Sequence, residues 1–325
     1  MRAIVCQEHG SPSSLQLLDV AEPEVGAGDV KIAVDACGIN FPDVLMVAGR
    51  YQMQPPLPFS PGAEIAGRIV ELGSDVERFK VGDRVGALLG YGGLAEFALA
   101  KPHQVYPIPE GVPAELAAAF TLAYGTSYHA LHDRGRLASG ETLLVLGAAG
   151  GVGLAAVQLG HAAGASVIAA ASSDEKLALA AEHGATKTIN YSRDSLREQV
   201  KALTGGRGVD VVYDPVGGEL TEAALRSLAW GGRLLVIGFA AGNIPTIAAN
   251  LLLLKGSSAV GVFWGRHVEA EPDRHRNNMA ALQRLLAEQK IRPVVQSPYP
   301  LAAAADALTC LAERRALGKL VVKVS

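Results

Sequence analysis

The sequence predicts an α/β protein of two domains, one β-rich and one built on a doubly wound parallel sheet. Three observations carry that expectation. At 325 residues the chain is about twice a typical domain of ~150. Its first hundred or so residues set short apolar runs between Gly- and Asp-containing turns. From Glu141 onward strand-like and helix-like runs alternate, the pattern of a parallel sheet with crossover helices.

Composition narrows the function classes. A chain that is 49% hydrophobic and only 19% charged buries real cores, so disorder is excluded as its main state. With 29 Lys and Arg against 32 Asp and Glu, the net charge of −3 lacks the basic footprint of a nucleic-acid or anionic-membrane binder. Cys6, Cys37 and Cys310 are odd in number and far apart, which makes no disulfide framework and points to a reducing, cytoplasmic compartment. The start MRAIVCQEHG has no apolar run of signal-peptide length, so no export is expected.

In chain order, VKIAVDACGI (30–39) alternates apolar Ile32, Val34 and Ala36 with Lys31 and Asp35, the period of a half-buried strand. EIAGRIVELG (64–73) and GDRVGALL (82–89) follow as strands. QPPLPFSPG (54–62) is an irregular loop because proline lacks the amide donor of a sheet interior. Residues 113–133 turn helical. The long stretch between Glu141 and Asp174 carries no charge except His161, yet its glycines divide it into strand 142–146, helix 154–163 and strand 166–171, a βαβ unit rather than a membrane span. Then come a helix at 174–183, strand 186–190, a helix at 194–203, strand 209–214, helix LTEAALRSLAW, strand 233–239, helix NLLLLK and strand SSAVGVFW (257–264). A polar helix at 273–290, one further helix and a last strand, 319–324, close the chain. Strand-like runs at both termini predict one composite domain with the parallel-sheet domain inserted. As the final parallel strand, 257–264 belongs at a sheet edge. It carries no charge or proline to protect that edge, which predicts a homodimer formed through it.

The run GAAGGVG (147–153) lies where a strand ends and a helix begins. Unpaired amides at the helix start favour a pyrophosphate, and glycine removes the Cβ atoms that would block its approach. The pattern departs from G-x-G-x-x-G, with Ala148 at the first glycine. The acidic residue that would close the second strand on a ribose 2′-hydroxyl is also missing. Ala171, Ser172 and Ser173 stand there, with Lys176 a helical turn on, which favours the 2′-phosphate of NADPH over NADH.

These residues carry a resemblance. GETLLVLGAAGGVGLAAVQLGHA (140–162) is similar to the signature of the quinone oxidoreductases of the medium-chain dehydrogenase/reductase superfamily, with His161 where Lys or Arg is usual. ACGINFPDVLMVAGRY (36–51), PGAEIAGRIVELG (61–73), VGDRV (81–85), GGLAEFA (92–98), YDPVGG (213–218) and GKLVV (318–322) extend it along the chain. The resemblance implies a GroES-like catalytic domain at 1–122 and 266–325, a Rossmann domain at 123–265, and NADPH in the cleft between them. It implies no metal: where the zinc enzymes carry Cys and His, this chain has Asn40 and Ala63, neither of which suits zinc.

Without a Lewis acid, a quinone or other conjugated carbonyl is the expected hydride acceptor. Alternatives of the same fold are an enoyl thioester or 2-alkenal reductase. A non-catalytic NADPH-binding structural or regulatory protein is the alternative from another class. Asn40, Tyr51 and Asp43 are the implied catalytic residues, with Asn40 suited to donate to a developing oxyanion. Leu45 stands where the family's quinone reductases often have Tyr. The implied cofactor residues are Thr126, Gly147, Ala148, Ala149, Gly150, Gly151, Val152, Gly153, Ser172, Lys176, Tyr191, Val216, Gly238, Phe239 and Phe263. Arg315 and Lys319 join them if a one-residue gap is allowed.

Overall fold

The computed structural model describes all 325 residues, Met1–Ser325. The chain divides into two compact units, residues 1–122 with 293–325, and residues 123–292.

In the first unit, strand Val30–Ile39 is the centre of a seven-stranded sheet. It pairs antiparallel with Glu64–Leu72 and with Phe97–Ala100, and the C-terminal strand Leu320–Lys323 lies along its far end with Val322 opposite Cys37. The two chain ends therefore share one sheet. The expected half-buried alternation of 30–39 is not what forms: almost every residue is buried or nearly so. One face, with Ile32, Val34, Cys37 and Ile39, enters the main core. On the other, Ala36 packs with Ala66, Val321, Ala117 and Ala118. Lys31, which suggested an exposed face, keeps its stem buried while its ammonium reaches Glu22 at 2.8 Å and lies over the Phe97 ring.

The second unit is a six-stranded parallel sheet ordered Lys187–Asn190, Ser166–Ala171, Thr142–Leu146, Val209–Asp214, Leu228–Val236, Ser258–Gly261. This is the doubly wound order 3-2-1-4-5-6, with its switch point between the strands 142–146 and 209–214. Leu144, Leu146, Ile168, Val212 and Leu234 fill its core. The stretch after Glu141 is strand, helix and strand, and no helix of the chain is long and apolar enough to cross a membrane.

Several boundaries differ from expectation. The helix expected over LTEAALRSLAW ends at Arg226, and the next strand begins at Leu228 rather than 233, because a register shift against Val209–Val211 admits the extra residues. The strand expected at 257–264 is only Ser258–Gly261, since Trp264 buries its ring and opens helix Trp264–Ala270. Pro272, favoured in a first helical turn, starts a separate helix, Pro272–Ala287. The second unit also runs on to residue 292 rather than 265. Asn278 donates to Asp133, Leu282 is fully buried, and Gln158 exchanges hydrogen bonds with the backbone of Arg292, tying 266–292 to the parallel-sheet unit.

Candidate active site

In the second unit the candidate cofactor residues gather along one edge of the sheet, just beyond the carboxyl ends of its strands. Gly147 follows Leu146, Ser172 follows Ala171, and Tyr191 follows Asn190. Val216 lies two residues past Asp214, Gly238 and Phe239 follow Val236, and Phe263 lies two past Gly261. This is where an open parallel sheet binds ligands. Gly147 takes φ +58°, and Gly150 precedes helix Gly151–Ala162 in an extended conformation. Gly153 is required sterically: a Cβ there would come within 2.2 Å of the Gly147 carbonyl oxygen. Ala148 and Ala149 are buried, and the Val152 carbonyl accepts from Ser127, beside half-buried Thr126. Asp214 shapes the turn that presents Val216 by accepting from the Val216 and Gly217 amides, both at 2.9 Å, and from Thr221.

At the end of strand Ser166–Ala171, Lys176 Nζ donates to Ser172 Oγ at 3.1 Å. Ser192 donates to the Ser172 carbonyl. Asp174, a carboxylate close to this corner, is held by Asn190 and by Arg193 at 2.8 Å. These contacts lower its pKa, and the Arg193 guanidinium offsets its charge. Sequence reading missed Arg193; its signal was a basic residue in the loop after the third strand.

The first unit carries a second cluster. Lys319, 5% exposed, places its ammonium 2.6 Å from Asn40 Oδ1, 3.1 Å from Glu64 Oε2 and 3.3 Å from the Ile39 carbonyl. Glu64 is fully buried, and its other oxygen accepts from the Leu122 amide at 2.9 Å. Strand pairing builds this cluster, because Leu320 lies opposite Ile39 and Gly38 opposite Glu64. Both donors of the Asn40 amide point into the framework, to Gly38 O and to Glu64 Oε2. As folded, the amide oxygen holds Lys319 in place, and neither N–H of the side chain is left over for an oxyanion. Glu64 was absent from the residues singled out by sequence; its signal was a carboxylate directly after Pro61-Gly62-Ala63, at the start of a strand. Arg315 does not join the cluster: it is exposed and paired with Glu313.

Asp43 is likewise fully buried. Its oxygens accept from the backbone N–H of Asn40 at 2.7 Å and from that of Gly62 at 3.2 Å, tying the start of helix Phe41–Val47 to the loop before strand Glu64–Leu72. Burial pushes its carboxyl up to about 7, aided by the Glu64 charge and opposed by those two amides and the Lys319 ammonium. Because the folded value lies above the ordinary 3.8, its contribution to stability is complete below that pH and is lost as pH rises through about 7. Asp43→Asn is therefore expected to flatten the stability–pH profile over that window. Urea unfolding at a series of pH values reads it, and an unchanged slope contradicts it. Tyr51, half-buried against the core, has its hydroxyl pushed up by burial and by the Asp43 charge, so it stays a proton donor at neutral pH. Leu45 is half-buried on the same helix as Asp43.

A glycine cradle at the switch point of a doubly wound sheet, joined in sequence to a β-rich unit with a buried ammonium cluster, is the architecture of the two-unit dinucleotide-binding oxidoreductases. Comparison with known proteins agrees. Residues 26–110 match the family described as alcohol dehydrogenase GroES-like domain, and residues 151–284 match that described as zinc-binding dehydrogenase. Quinone oxidoreductase-like protein 2 of Mus musculus is 40% identical over 99% of this chain and 92% of its own length. The quinone oxidoreductase of Homo sapiens is 35% identical over 94% of this chain and 92% of its own. The Escherichia coli quinone oxidoreductase solved in complex with NADPH superimposes with a TM-score of 0.93 over the full length of both chains at 29% identity. The chain belongs to the quinone oxidoreductase family of the medium-chain dehydrogenase/reductases. The zinc in the second family description does not fit the donor set here: Asn40 and Ala63 stand at the ligand positions, and an ammonium already lies against Asn40.

Proposed function

We propose that this protein is an NADPH-dependent reductase that transfers hydride to a quinone or a related conjugated carbonyl without a metal. The observation that carries the reading is the Lys319 ammonium held by Asn40 and Glu64 where the zinc enzymes of the superfamily gather metal ligands. With no Lewis acid to stabilise an alkoxide, the suitable acceptor is one whose reduced form is already a stabilised anion. The NADPH complex of the Escherichia coli relative supports the cofactor.

The glycine turn Gly147–Gly153 suits the pyrophosphate, and Ser172, Lys176, Tyr191 and Arg193 suit the 2′-phosphate. When bound, NADPH supplies the hydride. We assign Tyr51 the donor role expected of Asn40, its protonated phenol hydrogen-bonding to the acceptor oxygen as charge develops there. Lys319 adds a fixed positive charge, and Asn40, Asp43 and Glu64 position that charge and the helix following Asn40. NADPH consumption with 1,4-benzoquinone, crotonyl-CoA and a simple alkenal, in chelator-treated protein, tests the reading. Turnover fastest on the quinone and unaffected by chelation is expected. Preference for the thioester or alkenal, which half-buried Leu45 in place of Tyr would accommodate, moves the substrate class. Binding without turnover on any acceptor removes the enzyme reading.

Cofactor choice has its own test. NADPH is expected to bind at least about tenfold more tightly than NADH, or ~1.4 kcal/mol. Lys176→Ala should erode that difference while leaving NADH affinity nearly unchanged. Equal dissociation constants in the unmodified protein at matched salt contradict it.

A homodimer is part of the same proposal. Strand Ser258–Gly261 is an edge strand, and its surroundings expose Trp230 (81%), Leu253 (80%), Leu254 (70%) and Phe263 (60%). Apolar side chains around an unprotected edge favour pairing with a second copy. Val260→Lys should dissociate the dimer in sedimentation experiments; an unmodified protein that sediments as a monomer at micromolar concentration contradicts the proposal.

A further inference from the structure

The second unit holds a group of polar side chains that the proposed reaction does not use. His129 and Asp133 face each other across one turn of the π-helical segment His129–Arg134, with His129 Nδ1 2.7 Å from Asp133 Oδ2. His267, from helix Trp264–Ala270, stacks on His129 at 3.8 Å and brings Nε2 to 3.9 Å from the same carboxylate oxygen. His267 is 5% exposed, and neither of its ring nitrogens has a hydrogen-bond partner. Leaving a buried ring nitrogen without a partner is costly, and here two share one ring. Next to it His275 Nδ1 is also buried without a partner.

We propose that His129, Asp133 and His267 bind one divalent transition-metal ion of the zinc class, outside the hydride-transfer chemistry. The donor set is the first ground, since two imidazoles and a carboxylate are ligands that zinc prefers. Distance is the second. Ligand bonds of ~2.0–2.1 Å in a tetrahedron put neighbouring ligand atoms about 3.3 Å apart, and the separations from Asp133 Oδ2, 2.7 Å to His129 and 3.9 Å to His267, bracket that value. All three ligand atoms lie within 4.8 Å of one another.

The third ground is the surrounding support. Asn278 donates to Asp133 Oδ2 at 2.7 Å, and Arg274 lies 3.5 Å from the other oxygen, which together orient the carboxylate. Glu271 Oε1, 3.6 Å from His267 Nδ1, is placed to accept that N–H once Nε2 takes the ion, as ligating histidines require. The stacked rings lie 13° from parallel, so binding turns His267 about its Cβ–Cγ bond to aim Nε2 at the ion. Neither ring nitrogen is bonded, so the turn breaks no hydrogen bond at His267.

The test uses chelator-treated, dialysed full-length protein titrated with Co²⁺ and followed by its visible d–d bands, with Zn²⁺ as competitor. One Co²⁺ per chain, displaced by Zn²⁺, is expected. His267→Ala should weaken binding at least about tenfold, while His103→Ala, at an exposed histidine of the first unit, leaves it unchanged. Absence of saturable Co²⁺ binding overturns the proposal, as does an His267→Ala variant that binds as tightly as the unmodified chain. If circular dichroism shows that His267→Ala fails to fold, X-ray absorption of the zinc-loaded unmodified protein decides: a shell with two imidazoles sustains the site, and one without imidazole overturns it.

Discussion

Replacing Glu64 by Leu is expected to destabilise the protein by about 3–5 kcal/mol, because it strands a buried ammonium. Glu64 accepts from Lys319 at 3.1 Å, from the Asn40 amide at 3.1 Å and from the Leu122 backbone at 2.9 Å, and the side chains of Glu64 and Lys319 are 0% and 6% exposed. Deleting the carboxylate leaves all three donors short of a partner in a place water does not reach. The double variant Glu64→Leu with Lys319→Met should recover much of the loss, since an apolar pair of similar volume commonly replaces a buried ion pair at little cost. Turnover should stay low in both, because Asn40 and the fixed charge are no longer held. Urea midpoints of the two variants check the stability part. A single variant costing less than about 1 kcal/mol, or a double variant no better than the single, contradicts the account.

The second large effect is expected at the glycine turn, where two substitutions separate folding from binding. In Gly153→Ala the new Cβ meets the Gly147 carbonyl oxygen at 2.2 Å, so the helix must back away from the strand. A loss of roughly 1–3 kcal/mol in stability follows from such overpacking, with NADPH affinity falling as well. In Gly150→Ala the nearest atom is 3.4 Å away, and φ −77° suits alanine, so stability should hold. In the proposed cofactor site its methyl group would obstruct the close backbone approach of the pyrophosphate, and NADPH affinity should fall about tenfold or more. Calorimetric titration and thermal melts on both variants read the split. Equal, unimpaired NADPH binding in both removes the turn from the cofactor site.

Much of the framework is legible in the sequence. Apolar runs bounded by glycine placed strands 142–146, 166–171 and 209–214 with their observed ends, because strands buried on both faces announce themselves by composition alone. The glycine cradle and the Ser172–Lys176 corner were readable for a related reason: they are local, held within one strand–turn–helix segment. Where tertiary contacts compete with local pattern, the reading slipped. Lys31 and Asp35 suggested an exposed strand face, but the Lys31 stem is buried, with its ammonium held by Glu22 and lying over the Phe97 ring. The run SSAVGVFW read as one strand until the burial of Trp264 claimed its end for a helix.

By itself, then, the sequence determined the doubly wound sheet, the turn that suits a dinucleotide and the lack of zinc ligands at Asn40 and Ala63, each a property of residues close together in the chain. Only the tertiary structure decided what surrounds those residues. It paired Leu320 with Ile39, which carried Lys319 across 279 positions to Asn40 and took up the amide donors. It brought His267 against His129 and Asp133 from a helix 134 residues further along. No local periodicity records such meetings, because a buried charge or an unpartnered imidazole is defined by what packs around it and not by its neighbours in sequence.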